Sequence, residues 1–158
     1  MASRLHTIAS ADEFQRLLAD PSTTRSQLVS VVADARVWLE VLERWPHAAS
    51  WVAANRALPR EVVLQLAQHA SVQVRAALAT GTSLPEEVMM QLAHDRSELI
   101  RVRVVCNAGA SREVLVELAG DPCQVVSAHA QSRLVHDSSG LAPPTDYIGE
   151  LRVRDLLH

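Results

Sequence analysis

No lysine occurs in the 158 residues, and all 15 cationic side chains are arginine. A Walker-type phosphate loop and a Schiff-base nucleophile both need an ammonium group, so both are excluded. Aromatic side chains make up only 3% of the chain, too few for a base-stacking platform. The five glycines form no phosphate-cradling loop, and neither a Gly-x-Ser-x-Gly elbow nor a His-Glu-x-x-His helix is present. Long apolar runs are also missing: none approaches the roughly 18 residues of a membrane span. Residues 1 to 20 carry acidic and polar groups where a secretory leader needs an uninterrupted apolar stretch. These absences predict a soluble, cytoplasmic protein. Cysteine is nearly absent, and Cys106 and Cys123 read as small reduced side chains rather than a disulfide. A net charge of −3 and a pI near 6.1 give no global basic field, which makes nucleic acid an unlikely partner.

What the chain does have is repetition. Leu58-Pro59-Arg60-Glu61-Val62 through Leu66-Ala67 recurs as Leu84-Pro85-Glu86-Glu87-Val88 through Leu92-Ala93, and in weaker form from Ala110 to Ala119. Glu61, Glu87 and Glu113 stand 26 and 26 residues apart, as do Leu66, Leu92 and Leu118. A period fixed by two independent columns marks a repeat array, an architecture that builds extended surfaces rather than deep pockets.

Each repeat reads as two helices. Val62, Val63, Leu66 and Ala67 fall at helical spacing, and Pro59 and Pro85 suit a first helical turn, where an amide hydrogen is not needed. The recurring glutamates then lie where the helix dipole favours a carboxylate, a capping role rather than a catalytic row. Second helices begin near Ser71 and Ser97. Their buried face is given by the columns Ala48/Val74/Ile100/Val126 and Val52/Leu78/Val104/Ala130. Asn55, Gly81 and Asn107 punctuate the helix ends with residues that tolerate the left-handed conformation. Upstream, Ser10 and Glu13 have capping-box spacing before Phe14, Leu17 and Leu18. Further helices are predicted from about Thr24 to Ala33 and from Arg36 to Arg44. Residues 1–37 therefore form an N-terminal cap and 38–136 the repeats, followed by a linker over 137–146 and an amphipathic tail over 147–158. Trp38, Trp45 and Trp51 read first as a packing cluster at the start of the array.

The unit Leu-Pro-x-Glu-Val-(x)3-Leu-Ala, followed by Val-Arg and an Asn or Gly, resembles the leucine-rich repeat variant, a relative of HEAT repeats. The likeness is strong over residues 58 to 109 and weaker over 38 to 57 and 110 to 133. It implies an all-α fold: a right-handed α-solenoid of HEAT-like helix pairs with an N-terminal helical cap. It also implies a structural ladder of an Asp after the first helix and an Arg on the second. Asp95 with Arg101 matches that pattern, whereas His69 replaces the Asp beside Arg75 and Ser127 follows Asp121. One branch of the family carries an iron–sulfur cluster, but two cysteines cannot supply four thiolates. Trp45-Pro46, Trp51 to Asn55 and Leu58-Pro59 resemble small bacterial repeat proteins of toxin neighbourhoods.

No metal or cofactor is expected. Cys123, His129 and His136 are the tightest ligand-type set and fit no zinc spacing. Nor does any motif pair a nucleophile with a base, so the chain reads as a non-enzyme. The informative contrast lies among the second-helix columns: where packing dictates, side chains repeat, yet Trp51, Ala77, Arg103 and His129 share nothing. That column and its face neighbours give the candidate partner-binding stripe of Trp51, Gln73, Ala77, Thr80, Leu99, Arg103, Cys106 and His129. The expected function is a non-catalytic protein-binding module, in its most concrete form an immunity protein or antitoxin that occupies a toxin. A HEAT-like nucleic-acid binder or DNA glycosylase-like enzyme, and a scaffold in a larger assembly, are the alternatives. The former needs Arg75, Arg101, Arg103 and Arg133 to converge. Partner identity and oligomeric state are left open.

Overall fold

The computed structural model describes residues 6–81 and 84–139. Among them are ten α-helices: α1 (Ala11–Ala19), α2 (Arg25–Leu28), α3 (Ala35–Arg44), α4 (Ala49–Ala53), α5 (Arg60–Ala67), α6 (Val72–Leu78), α7 (Glu86–Ala93), α8 (Glu98–Val105), α9 (Arg112–Leu118) and α10 (Gln124–Ser139). A 3-10 turn, Pro46–Ala48, leads into α4. The only extended pairing among the described residues is an isolated parallel bridge between Thr7 and Val32. The chain is all-α, as the sequence predicts, and none of its described helices is long and apolar enough to cross a membrane.

The helices stack in two rows. First helices α3, α5, α7 and α9 pack on one another in succession, as do second helices α4, α6, α8 and α10, and each row also packs against the other. The repeated apolar columns supply the interior between them. Val62, Leu66, Val88, Leu92, Val114 and Leu118 from the first row are fully buried, and Ala48, Val74, Ile100, Val126, Val52, Leu78, Val104 and Ala130 face them from the second. A period of 26 residues thus returns the same apolar face to the same layer at each step. At the cap end, Trp38 is fully buried and meets Phe14 edge-on at 5.0 Å. The three tryptophans do not share one fate: Trp45 is half-buried under the Arg44 guanidinium at 4.4 Å, and Trp51 is half-buried two turns further on.

Several local expectations are corrected. Pro59 and Pro85 occupy the N-cap rather than the first helical turn, because their backbones are extended with ψ of 147° and 144°. Ser111 takes the same position in the next repeat and caps with its hydroxyl, which accepts the Val114 amide at 3.3 Å. Helix α2 closes at Leu28 instead of Ala33, since Val32 turns extended to accept the Ile8 amide and donate to the His6 carbonyl. Helix α10 runs through Asp137, Ser138 and Ser139, which shortens the predicted linker; the remainder of that linker and the tail lie outside the described residues.

Gly81 lies outside the left-handed region, and the asparagines of its column serve a different purpose. Asn55 and Asn107 are buried, and their amides staple each repeat to the unit before it, the cap for Asn55 and the preceding repeat for Asn107. The Asn55 Nδ2 donates to the carbonyls of Leu28 (3.2 Å) and Val31 (2.9 Å), while Asn107 Nδ2 donates to those of Ala79 (2.7 Å) and Gly81 (2.8 Å). Their Oδ1 atoms accept the amides of Ala57 and Gly109, two residues on. Arg133, one period beyond Asn107, repeats the staple with a guanidinium donating to Val105 and Asn107 carbonyls at 2.9 and 2.7 Å. Gly81 has no side chain to do so: a Cβ there would stand 3.1 Å from the Leu78 carbonyl oxygen, and a small cavity beside Asn55 and Leu58 marks the place.

The Asp–Arg ladder also runs between repeats rather than within one. Arg75 grips Asp95 with two hydrogen bonds (2.6 and 3.1 Å), and Arg101 grips Asp121 in the same way (2.7 and 3.1 Å). Asp95 and Arg101 meet only through the Asp95 main-chain carbonyl, at 3.0 Å. This register explains both departures from the pattern. His69 has no arginine to pair with because Ala49 stands one period before Arg75, and Ser127 ends the ladder one period after Arg101. His69 keeps the other duty of the aspartate: its Nδ1 accepts the Ser71 amide at 3.1 Å, as Asp95 accepts Ser97 and Asp121 accepts Cys123. Burial by itself would raise the two carboxyls. The guanidinium and the amide that each accepts outweigh it, holding Asp95 and Asp121 below the ordinary aspartate value.

Candidate functional site

The divergent second-helix column opens onto a recess of about 320 Å³ that spans α2, α4, α6 and α8. Helix α4 contributes Ser50 and Trp51, with Ala54 at its C-cap; α6 contributes Gln73, Ala76 and Ala77, with Thr80 just beyond its end; α8 contributes Arg103; and α2 contributes Arg25. Trp51, Ala77 and Arg103 sit one period apart, so the stack brings them side by side on three successive second helices. Five residues of the candidate stripe, Trp51, Gln73, Ala77, Thr80 and Arg103, therefore line one recess.

Leu99, Cys106 and His129 do not line the recess. Leu99 is half-buried against the core, Cys106 is the C-cap of α8, and His129 lies half-buried on α10. The predicted stripe is thus longer than the concavity, because the recess closes at α8 while the column continues. Burial raises the Cys106 thiol more than the charges of Arg133 and Arg103 lower it, which leaves it a protonated, weak nucleophile at neutral pH. Burial, and then the Arg133 charge, lowers His129 from its ordinary value and keeps the imidazole neutral there.

Arg25, Ser50 and Ala76 are the lining residues that sequence reasoning missed. Arg25 belongs to the cap, outside the repeat register, so no column points to it. Its position is fixed locally by Thr24 and Gln27, a reciprocal capping box that starts α2. At longer range the Asn55 staple and the Arg56 amide, which donates to the Val29 carbonyl at 2.9 Å, fasten the end of α2 to the first repeat. This places the Arg25 guanidinium over the Trp51 ring, 5.8 Å from its centroid. Cation–π attraction of this kind contributes about 0.5–1 kcal/mol at an exposed site.

The lining contains two guanidinium groups, one indole, six residues with hydroxyl, amide or methyl tips, and no carboxylate. Neither Arg25 nor Arg103 forms an ion pair with any described residue, whereas Arg75 and Arg101 are committed to Asp95 and Asp121, and Arg133 to main-chain carbonyls. Of the four arginines that a nucleic-acid surface would use, three are thus already engaged within the fold. Among the described residues, no three His, Cys, Asp or Glu side chains stand close enough to share an ion. The recess is equipped for hydrogen bonding and apolar contact. No protein-family model matches the chain, and neither a curated protein nor a solved structure matches it.

Proposed function

We propose that the chain is a non-catalytic, cytoplasmic protein-binding module, built as a right-handed HEAT-like α-solenoid of the leucine-rich-repeat-variant type. Its most concrete form is a bacterial immunity protein or antitoxin that occupies a cognate toxin. The observation that carries the binding reading is the contrast within one helix row. Columns of the second helices that pack inward repeat their apolar character, while the column facing the recess places Trp, Ala and Arg in succession. Packing imposes no such mixture. Tryptophan and arginine are also the residue types that most often dominate protein-binding energy, and a preformed scaffold keeps the ordering cost of association low.

The test is co-purification with the product of the neighbouring gene, followed by titration of Arg103→Ala. A true partner should bind about tenfold or more weaker to the variant, the loss expected for a central anchor. Binding that survives charge reversal at Arg103 but is abolished by changes at Arg60, Gln65 and Gln91 would move the interface to the first-helix row.

A further inference from the structure

We infer that the recess receives an acidic segment of a protein partner, with carboxylates on Arg25 and Arg103 and an apolar side chain between them against Trp51. This deepens the binding-module reading and rests on it. Charge is the first argument. The chain carries a net −3, yet the recess presents two exposed guanidinium groups and no carboxylate. Two exposed arginines elsewhere do meet acids, Arg60 on Glu87 of α7, and Arg44 on Asp12 of α1 and Glu40 of its own helix. A guanidinium with free donors is matched best by a planar oxyanion, which it binds through two parallel hydrogen bonds.

The floor is the second argument. Between the arginines lie Trp51 and the methyl groups of Ala54, Ala76 and Ala77, with Trp51 and Ala77 each half-buried and packed on the core. That surface suits an aliphatic or aromatic side chain. Size is the third: about 320 Å³ sits at the low end of small-molecule sites, roughly 300–1,000 Å³, and accommodates a few side chains of a docked segment. A nucleic acid would bring phosphates to the same arginines, but it would meet the field of an acidic protein and a single indole for stacking.

The full chain can be screened against a display library of random peptides, with each enriched peptide then titrated by fluorescence anisotropy. The expected consensus is acidic residues flanking an apolar one. Arg25→Glu and Arg103→Glu should each weaken binding at least about tenfold, while Arg112→Glu on the other row leaves it unchanged. Both recess arginines are exposed, so unaltered thermal unfolding of the variants verifies that the fold is intact. A basic or neutral consensus, or an acidic one indifferent to both reversals, overturns the proposal. So does tighter binding of a labelled single-stranded oligonucleotide that loses affinity in the same variants; that result would also overturn the protein-binding reading. Peptides that enrich but are lost only on substitution of Arg60 and Gln91 would overturn the recess while leaving the protein-binding reading in place. Failure of any peptide to enrich counts against the proposal as well.

Discussion

Two arginines of α8 stand two residues apart in sequence and in opposite circumstances. Arg101 is largely buried, donates twice to Asp121 and once to the Asp95 carbonyl, and thereby joins its own repeat to the next. Arg103 is exposed at the mouth of the recess, with no acidic partner among the described residues. A separation of two residues is roughly 200° around a helix, so neighbours in sequence serve opposite faces. The difference teaches that one side chain type acts as a fastener where a carboxylate is supplied and as a recognition element where none is. Arg75 and Arg25 repeat the contrast, the first tied to Asp95 and the second held over Trp51.

The largest effect is expected in the core beneath both faces. Leu66 and Leu92 are completely buried, so Leu66→Ala and Leu92→Ala should each cost about 2 to 5 kcal/mol in denaturant unfolding. Losses below about 1 kcal/mol would mean that the two rows do not share one interior. Next comes the fastener itself. Asp121→Ala strands a mostly buried guanidinium and should cost about 3 kcal/mol, as should Asp95→Ala, and each double variant with its arginine should recover part of that loss. Asn107→Ala removes two donors to buried carbonyls and one acceptor, for about 2 kcal/mol. If it costs nothing, the staple is dispensable and the register rests on apolar packing alone.

Acid sharpens the same comparison. Asp95 and Asp121 titrate below the ordinary aspartate value when folded. Their contribution is therefore complete above an unfolded pKa of about 3.9, and it is lost as pH falls through the lower folded values. An Asp95→Asn, Asp121→Asn double variant should show a flatter fall in stability below about pH 4 than the parent. The smallest effect belongs to the recess: Arg103→Ala should change stability by about 0.5 kcal/mol or less and Arg25→Ala, which also loses its contact with the Trp51 ring, by about 1 kcal/mol or less, since neither holds a carboxylate. A larger loss at Arg103 would erase the distinction between fastener and recognition element.

Legibility differed between these regions for a physical reason. Columns that pack inward are constrained to be apolar at every turn, so Val74, Ile100 and Val126 declared their place without any structure. The ladder is visible in the sequence as residue types, but proximity along the chain suggests the wrong pairs. Asp95 and Arg101 are close in sequence, whereas the partner that actually reaches Asp95 is Arg75, twenty residues earlier on the preceding second helix. In the sequence Asn55 and Asn107 suggest backbone punctuation, because a helix-ending asparagine is usually explained locally. Their staples reach carbonyls 24 to 28 residues away, a distance that sequence proximity cannot suggest.

The sequence by itself determined the helical class, the repeat length, the inward columns and the identity of the divergent stripe, since each follows from short-range periodicity. Tertiary structure decided where the stripe becomes a recess, and it set Arg25 over Trp51. That placement depends on how a non-repeating cap helix is fastened to the first repeat. Such a fastening rests on a few long-range hydrogen bonds, not on any pattern carried along the chain.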